Sequence, residues 1–248
     1  MTGTAIAALA ADREALLVIC AGLGDAEWKT DSGCPGWSVQ DVVAHVGALF
    51  WAVVDPSVLP DVGDLPTERA QARYVEDRRS WSADQVLADY ESVSLRALDS
   101  LAALAEQDFE VPLGDLGTYP ASILPNAFSF DHFVHIRADL FAPRGPLTSD
   151  PPPSDELRVG AALDWIDAAL PQQNADAIAA LTGSVEIELT GPGARAVRLG
   201  DGTPTAHIRS ESVSFVRWVT QRASWDDCAV VATGDDRDLA VARSLHVF

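Results

Sequence analysis

Lysine is almost missing from this chain. Lys29 is the only one in 248 residues, and lysine plus arginine number 17 against 37 acids. The formal charge of −20 argues against a nucleic-acid or anionic-membrane surface, because phosphate binding needs clustered cations. Long apolar runs are missing too: no stretch of about 18 uncharged apolar residues offers a transmembrane helix. The first twenty residues carry Asp12, Arg13 and Glu14 and lack a basic leader, so they read as a folded amphipathic helix and not a signal peptide. Cysteine is scarce. Cys20, Cys34 and Cys228 are an odd number at unrelated spacings, which excludes a disulfide framework and a CxxC zinc pair and fits a reducing cytoplasm. GxSxG, GxGxxG and P-loop patterns are absent, so hydrolase-elbow and nucleotide-binding readings have nothing to rest on.

What remains is a globular chain, 48% apolar and long enough for one large core or two ordinary ones. Abundant Ala, Asp, Gly and Pro beside the missing lysine look like a high-GC bacterial coding bias. The first 145 or so residues are mostly helical in pattern. Ile6, Leu9, Leu16, Leu17 and Ile19 fall at helical spacing before Gly22-Leu23-Gly24. Ser38 with Asp41 approximates a capping box for a helix to about Val54, ended by Pro56 and Pro60. Ser82 caps a segment from Ala83 to about Glu106, with an apolar stripe from Val86 to Leu104. Pro112, Gly114, Gly117 and Pro120 mark turns, and a fourth helix is expected over roughly 127–141. The simplest architecture is a four-helix bundle, a usual home for metal sites built from facing helices.

Asp150-Pro151-Pro152-Pro153-Ser154-Asp155 reads as a stiff connection, dividing the chain into 1–149 and 150–248. The second part begins with a helix over about 157–170. Alternation over 184–189, extended character over 196–199 and 205–209, and a compact run over 229–234 predict strands. Helices follow Ser210 and span about 237–245, so this part is a small α+β domain.

Asp131 and His135 are four residues apart and share one helix face, where an oxygen and an imidazole can hold two corners of a divalent metal. His45 is the candidate third ligand, and three protein ligands leave a coordination position open for chemistry. His132 is the rival ligand, three residues before His135. In that arrangement Asp131 would orient an imidazole from behind. A His/Asp/His set suits zinc, nickel, iron or manganese. Asp139 is either such an orienting acceptor or a surface charge. Trp37 reads as a core anchor, Cys34 as a half-buried loop thiol, His207 and His246 as structural, and Arg78-Arg79 as a solvated helix face.

Three local patterns resemble one family. Cys34-Pro35-Gly36-Trp37-Ser38-Val39-Gln40-Asp41-Val42-Val43-Ala44-His45 resembles the CPGW(S/T)VxD(L/V)xxH signature of the mycothiol-dependent maleylpyruvate isomerase N-terminal domain, a DinB-like metal-binding bundle. Asp131 to Leu140 resembles its second metal segment, ExxVHxxDL, with Asp131 where Glu is usual. Glu211 to Arg222, followed by Val231 to Asp235, resembles the sterol-carrier-like α+β domain that follows the bundle in these proteins, with Gln221 where Gly usually precedes the arginine. The resemblance implies His45, Asp131 and His135 as ligands of a divalent metal, usually zinc. It makes Arg222 the counterpart of an arginine that reaches the active site, and mycothiol the thiol cofactor in an actinobacterial cytoplasm. A metal-bound thiol sulfur has a lowered pKa, so a thiolate could add to an activated cis double bond, allow rotation, and leave the trans isomer. Arg222 would hold a substrate carboxylate or the developing enolate charge. The expected partners are a small-molecule thiol and an electrophilic substrate. The alternatives are a thiol S-transferase on the same scaffold, or a non-catalytic metal- or small-ligand-binding protein.

Overall fold

The computed structural model describes residues 2–248, which divide into two compact units, Met1–Pro153 and Ser154–Phe248. The first unit is built on helices α1 (Thr2–Ala21), the short α2 (Asp25–Trp28), α3 (Val39–Val54), α4 (Thr67–Arg78), α5 (Ala83–Leu104) and α6 (Leu124–Val134). Helix α6 continues without a break into a π-helical turn over His135–Leu140. Helices α1, α3, α5 and α6 make the bundle, α3 lying along α5 and α1 along both α5 and α6. Its core gathers Leu9 and Leu16 of α1, Val39, Val42, Val43, Val46 and Phe50 of α3, and Val86, Tyr90, Val93, Ala97 and Leu101 of α5. The α5 set repeats every three or four residues, which is one continuous stripe on a helix.

The capping expected at Ser38 is present. Ser38 Oγ accepts from the Asp41 amide at 3.2 Å while Asp41 Oδ2 accepts from the Ser38 amide at 3.0 Å. Ser82 and Gln85 form the same box at the start of α5. Two elements differ from the sequence expectation. The sequence places Arg78-Arg79 on a helix face but does not delimit helix α4, because only Ala70, Val75 and Arg78 of its twelve residues are buried and no apolar stripe exists to see. Its first turn is instead tied by Asp115, whose Oδ1 accepts from the Thr67 amide and hydroxyl at 2.8 and 2.6 Å. The turn-rich stretch also holds a small antiparallel ribbon, β1 (Glu110–Pro112) with β2 (Thr118–Pro120), anchored by the fully buried Tyr119.

The second unit is the expected α+β fold: a four-stranded sheet with helices α7 (Glu156–Gln173), α8 (Ala175–Ala179), α9 (Ser212–Val219) and α10 (Asp236–Ser244). Its strands are β3 (Ser184–Thr190), β4 (Arg195–Leu199), β5 (Pro204–Glu211) and β6 (Val231–Gly234), in the order β4-β3-β5-β6. The β3–β5 pair is parallel and the outer pairs are antiparallel. Val185, Ile187, Leu189, Ala206 and Ile208 point into this unit's core, while Glu186, Glu188, His207 and Arg209 alternate to the other face. No helix among the described residues is long and apolar enough to cross a membrane.

Candidate metal centre

The loop before α3 sets the entry to the centre. Cys34-Pro35-Gly36-Trp37 closes a turn by a bond from the Trp37 amide to the Cys34 carbonyl at 3.0 Å. Pro35 occupies the second turn position, and Gly36, at φ +78°, takes the third, left-handed one that glycine favours. The loop is pinned to the π-helical turn. The Gly33 amide donates to the Asp139 carbonyl at 2.7 Å, and Arg144 donates to the Gly33 carbonyl at 2.6 Å. Sequence alone shows a loop at Cys34, but not that it is fastened beside Asp131 and His135.

His45, buried midway along α3, meets Asp131 and His135 of the facing helix. Asp131 Oδ1 lies 3.3 Å from His45 Nε2 and 3.4 Å from His135 Nε2. Two donors held about 2.0–2.1 Å from one tetrahedral ion stand about 3.3 Å apart. The three residues offer donor atoms that all lie within 4.8 Å of one another. The second carboxylate oxygen, Asp131 Oδ2, is buried with no hydrogen-bond partner. An orphaned buried acceptor on a carboxylate whose other oxygen faces two imidazoles is what a cation satisfies, so these residues fit a divalent metal. The aspartate, one methylene shorter than glutamate, still reaches both rings.

Electrostatics point the same way. Burial pushes the Asp131 carboxyl up, but positive charge on His135 and His45 holds it well below the ordinary carboxylate range. Burial pushes His135 down, yet the Asp131 charge and hydrogen bonds to Asp131, Asp139 and Cys34 more than reverse this and raise it well above an ordinary histidine. The pocket thus favours positive charge at its centre. Asp139 is fully buried and takes the orienting role: its Oδ2 stands 2.9 Å from His135 Nδ1, which leaves Nε2 free to face Asp131. Cys34 Sγ contacts the same ring nitrogen at 3.6 Å, a contact that no spacing in the sequence announces. Trp37 is only half-buried, and its ring centroid lies 5.1 Å from that of His45 and 6.4 Å from that of His135. It anchors against the core and also walls the centre.

His132 points elsewhere. Its Nε2 meets the Tyr90 hydroxyl at 3.2 Å, its Nδ1 meets the Phe128 carbonyl at 3.0 Å, and its ring packs 4.9 Å from that of Phe50. Burial pushes it down to about 4, so it stays neutral. Arg78 corrects the expectation of a solvated face: it is buried, 3.7 Å from Asp89 Oδ2, with its guanidinium over the Trp81 ring. Arg79 donates to the Gly36 carbonyl at 2.9 Å and so braces the turn. In the second unit, His207 pairs with Glu186 at 3.3 Å on the open sheet face, and His246 approaches the Ser244 carbonyl. Arg222 follows α9 there. Its amide donates to the Arg217 carbonyl at 2.8 Å and its guanidinium to the Thr220 carbonyl at 3.2 Å. Gln221 adopts φ +58°, the left-handed conformation for which glycine is the easier residue.

The family model described as the mycothiol maleylpyruvate isomerase N-terminal domain matches residues 9–141. Two solved structures share the fold. The crystal structure of the mycothiol-dependent maleylpyruvate isomerase matches with a TM-score of 0.62 and 16% identity, over 95% of this chain and 94% of that one. A histidine-to-alanine mutant of the mycothiol-dependent maleylpyruvate isomerase matches with a TM-score of 0.59 and 17% identity, over the same shares. No curated protein matches the chain.

Proposed function

The chain belongs to the mycothiol maleylpyruvate isomerase N-terminal domain family, and from that premise we propose a divalent-metal- and mycothiol-dependent isomerase or thiol transferase of the maleylpyruvate isomerase type. The observation that carries the metal is the convergence of His45, Asp131 and His135 on a centre where Asp131 Oδ2 is buried and unsatisfied. His45 Nε2, the Asp131 carboxylate and His135 Nε2 would hold the ion, zinc by the family's habit. Bound there, ion and thiol together supply a thiolate near neutral pH that can add reversibly to an electrophilic double bond. The chain's own residues prepare this. Asp139 fixes the His135 ring, the buried bundle core excludes water behind it, and Trp37 closes the side next to His45. Arg222 is the residue assigned to the substrate's carboxylate or to its developing enolate charge.

The test combines metal analysis with a turnover assay. The purified chain is expected to carry a stoichiometric divalent metal, which H45A, D131A and H135A each lose and folded H132A retains. R222A should keep the metal and lose turnover of maleylpyruvate in the presence of mycothiol. Metal content unchanged by H45A would overturn the ligand set. Thiol binding without isomerisation would select the transferase, and metal without thiol binding would select a binding protein.

A further inference from the structure

His135 has a second donor set on its other side. Cys34 Sγ, a ring nitrogen of His135 and the Asp139 carboxylate offer ligand atoms within 4.8 Å of one another. Sγ is 3.6 Å from His135 Nδ1, and Nδ1 is 2.9 Å from Asp139 Oδ2. A thiolate at about 2.3 Å and an imidazole nitrogen at about 2.0 Å from one tetrahedral ion stand about 3.5 Å apart. The sulfur and the ring are therefore already at the spacing an ion needs, and the carboxylate lies close by, 2.9 Å from the ring nitrogen and within 4.8 Å of the sulfur. Asp139 Oδ2 is the oxygen beside His135 Nδ1, and Arg144 Nε lies 3.7 Å from the other, Oδ1. The backbone holds the group in place: the Gly33 amide is fastened to the Asp139 carbonyl, and the Cys34 amide donates to Ser32 Oγ at 3.1 Å. Cys34 is half-buried, which leaves a way in, whereas Cys20 and Cys228 are buried and belong to no such set among the described residues.

We propose that Cys34, His135 Nδ1 and Asp139 form a second position for a thiophilic divalent ion, with His135 shared between two ions through its two ring nitrogens. Binding releases two protons to solvent, one from the Cys34 thiol and one from Nδ1, and replaces the hydrogen bond to Asp139 with bonds to the ion. A thiolate and an imidazole select soft or borderline cations over magnesium and calcium, which demand oxygen. The Cys34, His135 and Asp139 ligand set does not depend on reading His45 and Asp131 as ligands; only the sharing of His135 does.

Cadmium is the probe, added to the full chain while bound metal and the ultraviolet thiolate-to-cadmium absorption are followed together. The unmodified chain is expected to take up a second equivalent accompanied by that absorption. C34S should lose both the second equivalent and the absorption. D139N, which keeps the thiol, should lose most of the thiolate-to-cadmium absorption, a signature the position at His45 does not produce, and it decides the matter if C34S fails to fold. H45A should keep the absorption while losing the other equivalent. Absorption that persists in C34S, or that never develops in the unmodified chain, would overturn the proposal. Loss of cadmium in C34S alone, with H45A unchanged, would leave it standing while the ligand set of the proposed function fell.

Discussion

His135 has both ring nitrogens engaged, Nε2 facing Asp131 at 3.4 Å and Nδ1 held by Asp139 at 2.9 Å. Asp139→Asn keeps an acceptor for Nδ1 but removes the charge that makes the ring a better donor. Metal affinity is expected to fall about 10–100-fold, read by competition with a chromophoric chelator. His132, three residues away on the same helix, is tuned the opposite way. Its folded pKa of about 4 lies below the ordinary 6.5. The unfolded chain therefore takes up a proton below about pH 6.5 that the folded chain refuses until about pH 4. Stability from this residue is intact above the window and lost as pH falls through it, by about 3 kcal/mol. His135 in the metal-free protein acts in the reverse sense, since its raised pKa favours the folded state at low pH and that gain is lost as pH rises through the folded value. Comparing denaturant unfolding of His132→Phe with the unmodified chain between pH 7 and pH 4 isolates the first effect. Equal pH slopes for the two proteins would refute it.

At the scale of elements, the junction between the CPGW turn and the π-helical turn decides the geometry of the centre. A Cβ on Gly33 would stand 2.9 Å from Asp139 Cα and 3.0 Å from Asp139 Oδ1. Gly33→Ala must therefore move the loop or the π-helical turn, both of which are backbone. The expected cost is about 1–3 kcal/mol of stability, and metal affinity should fall with it because Asp139 is the group displaced. A variant that melts earlier yet binds metal as tightly as before would show that the loop does not position Asp139. Much of this scale was legible in the sequence. The Ser38 and Ser82 caps, the α5 stripe and the Asp131/His135 pair all follow from local spacing. The β1–β2 ribbon and helix α4 did not, since α4 is polar almost all round and is fastened by Asp115, a residue 48 positions from Thr67. Nor does Asp131 to Leu140 announce that its second half widens into a π-helical turn, a form that recurs at functional sites.

Over the whole molecule, the pairing of His45 with Asp131 spans 86 residues. No periodicity could have joined them. Residue chemistry alone offered His45 as a third ligand, and the family resemblance of the CPGW segment gave that partnership its support. The same long-range contacts keep the centre within one unit: His45, Asp131, His135, Asp139 and Cys34 all lie in Met1–Pro153. The hydrophobic cluster around α1, α3 and α5 likewise draws only on residues up to Leu147. The second unit has its own interior, including Leu163, Ile166, Ile187, Ile208, Phe215 and Trp218. A fragment ending at Pro153 is accordingly expected to fold and to bind metal with the stoichiometry and affinity of the full chain. It should not isomerise substrate, because Arg222 belongs to the other unit. Near-ultraviolet circular dichroism establishes that the fragment is packed, and metal titration and the turnover assay then separate the two roles. A packed fragment that has lost its metal would mean that a ligand comes from beyond residue 153. A fragment that turns substrate over would remove Arg222 from the chemistry.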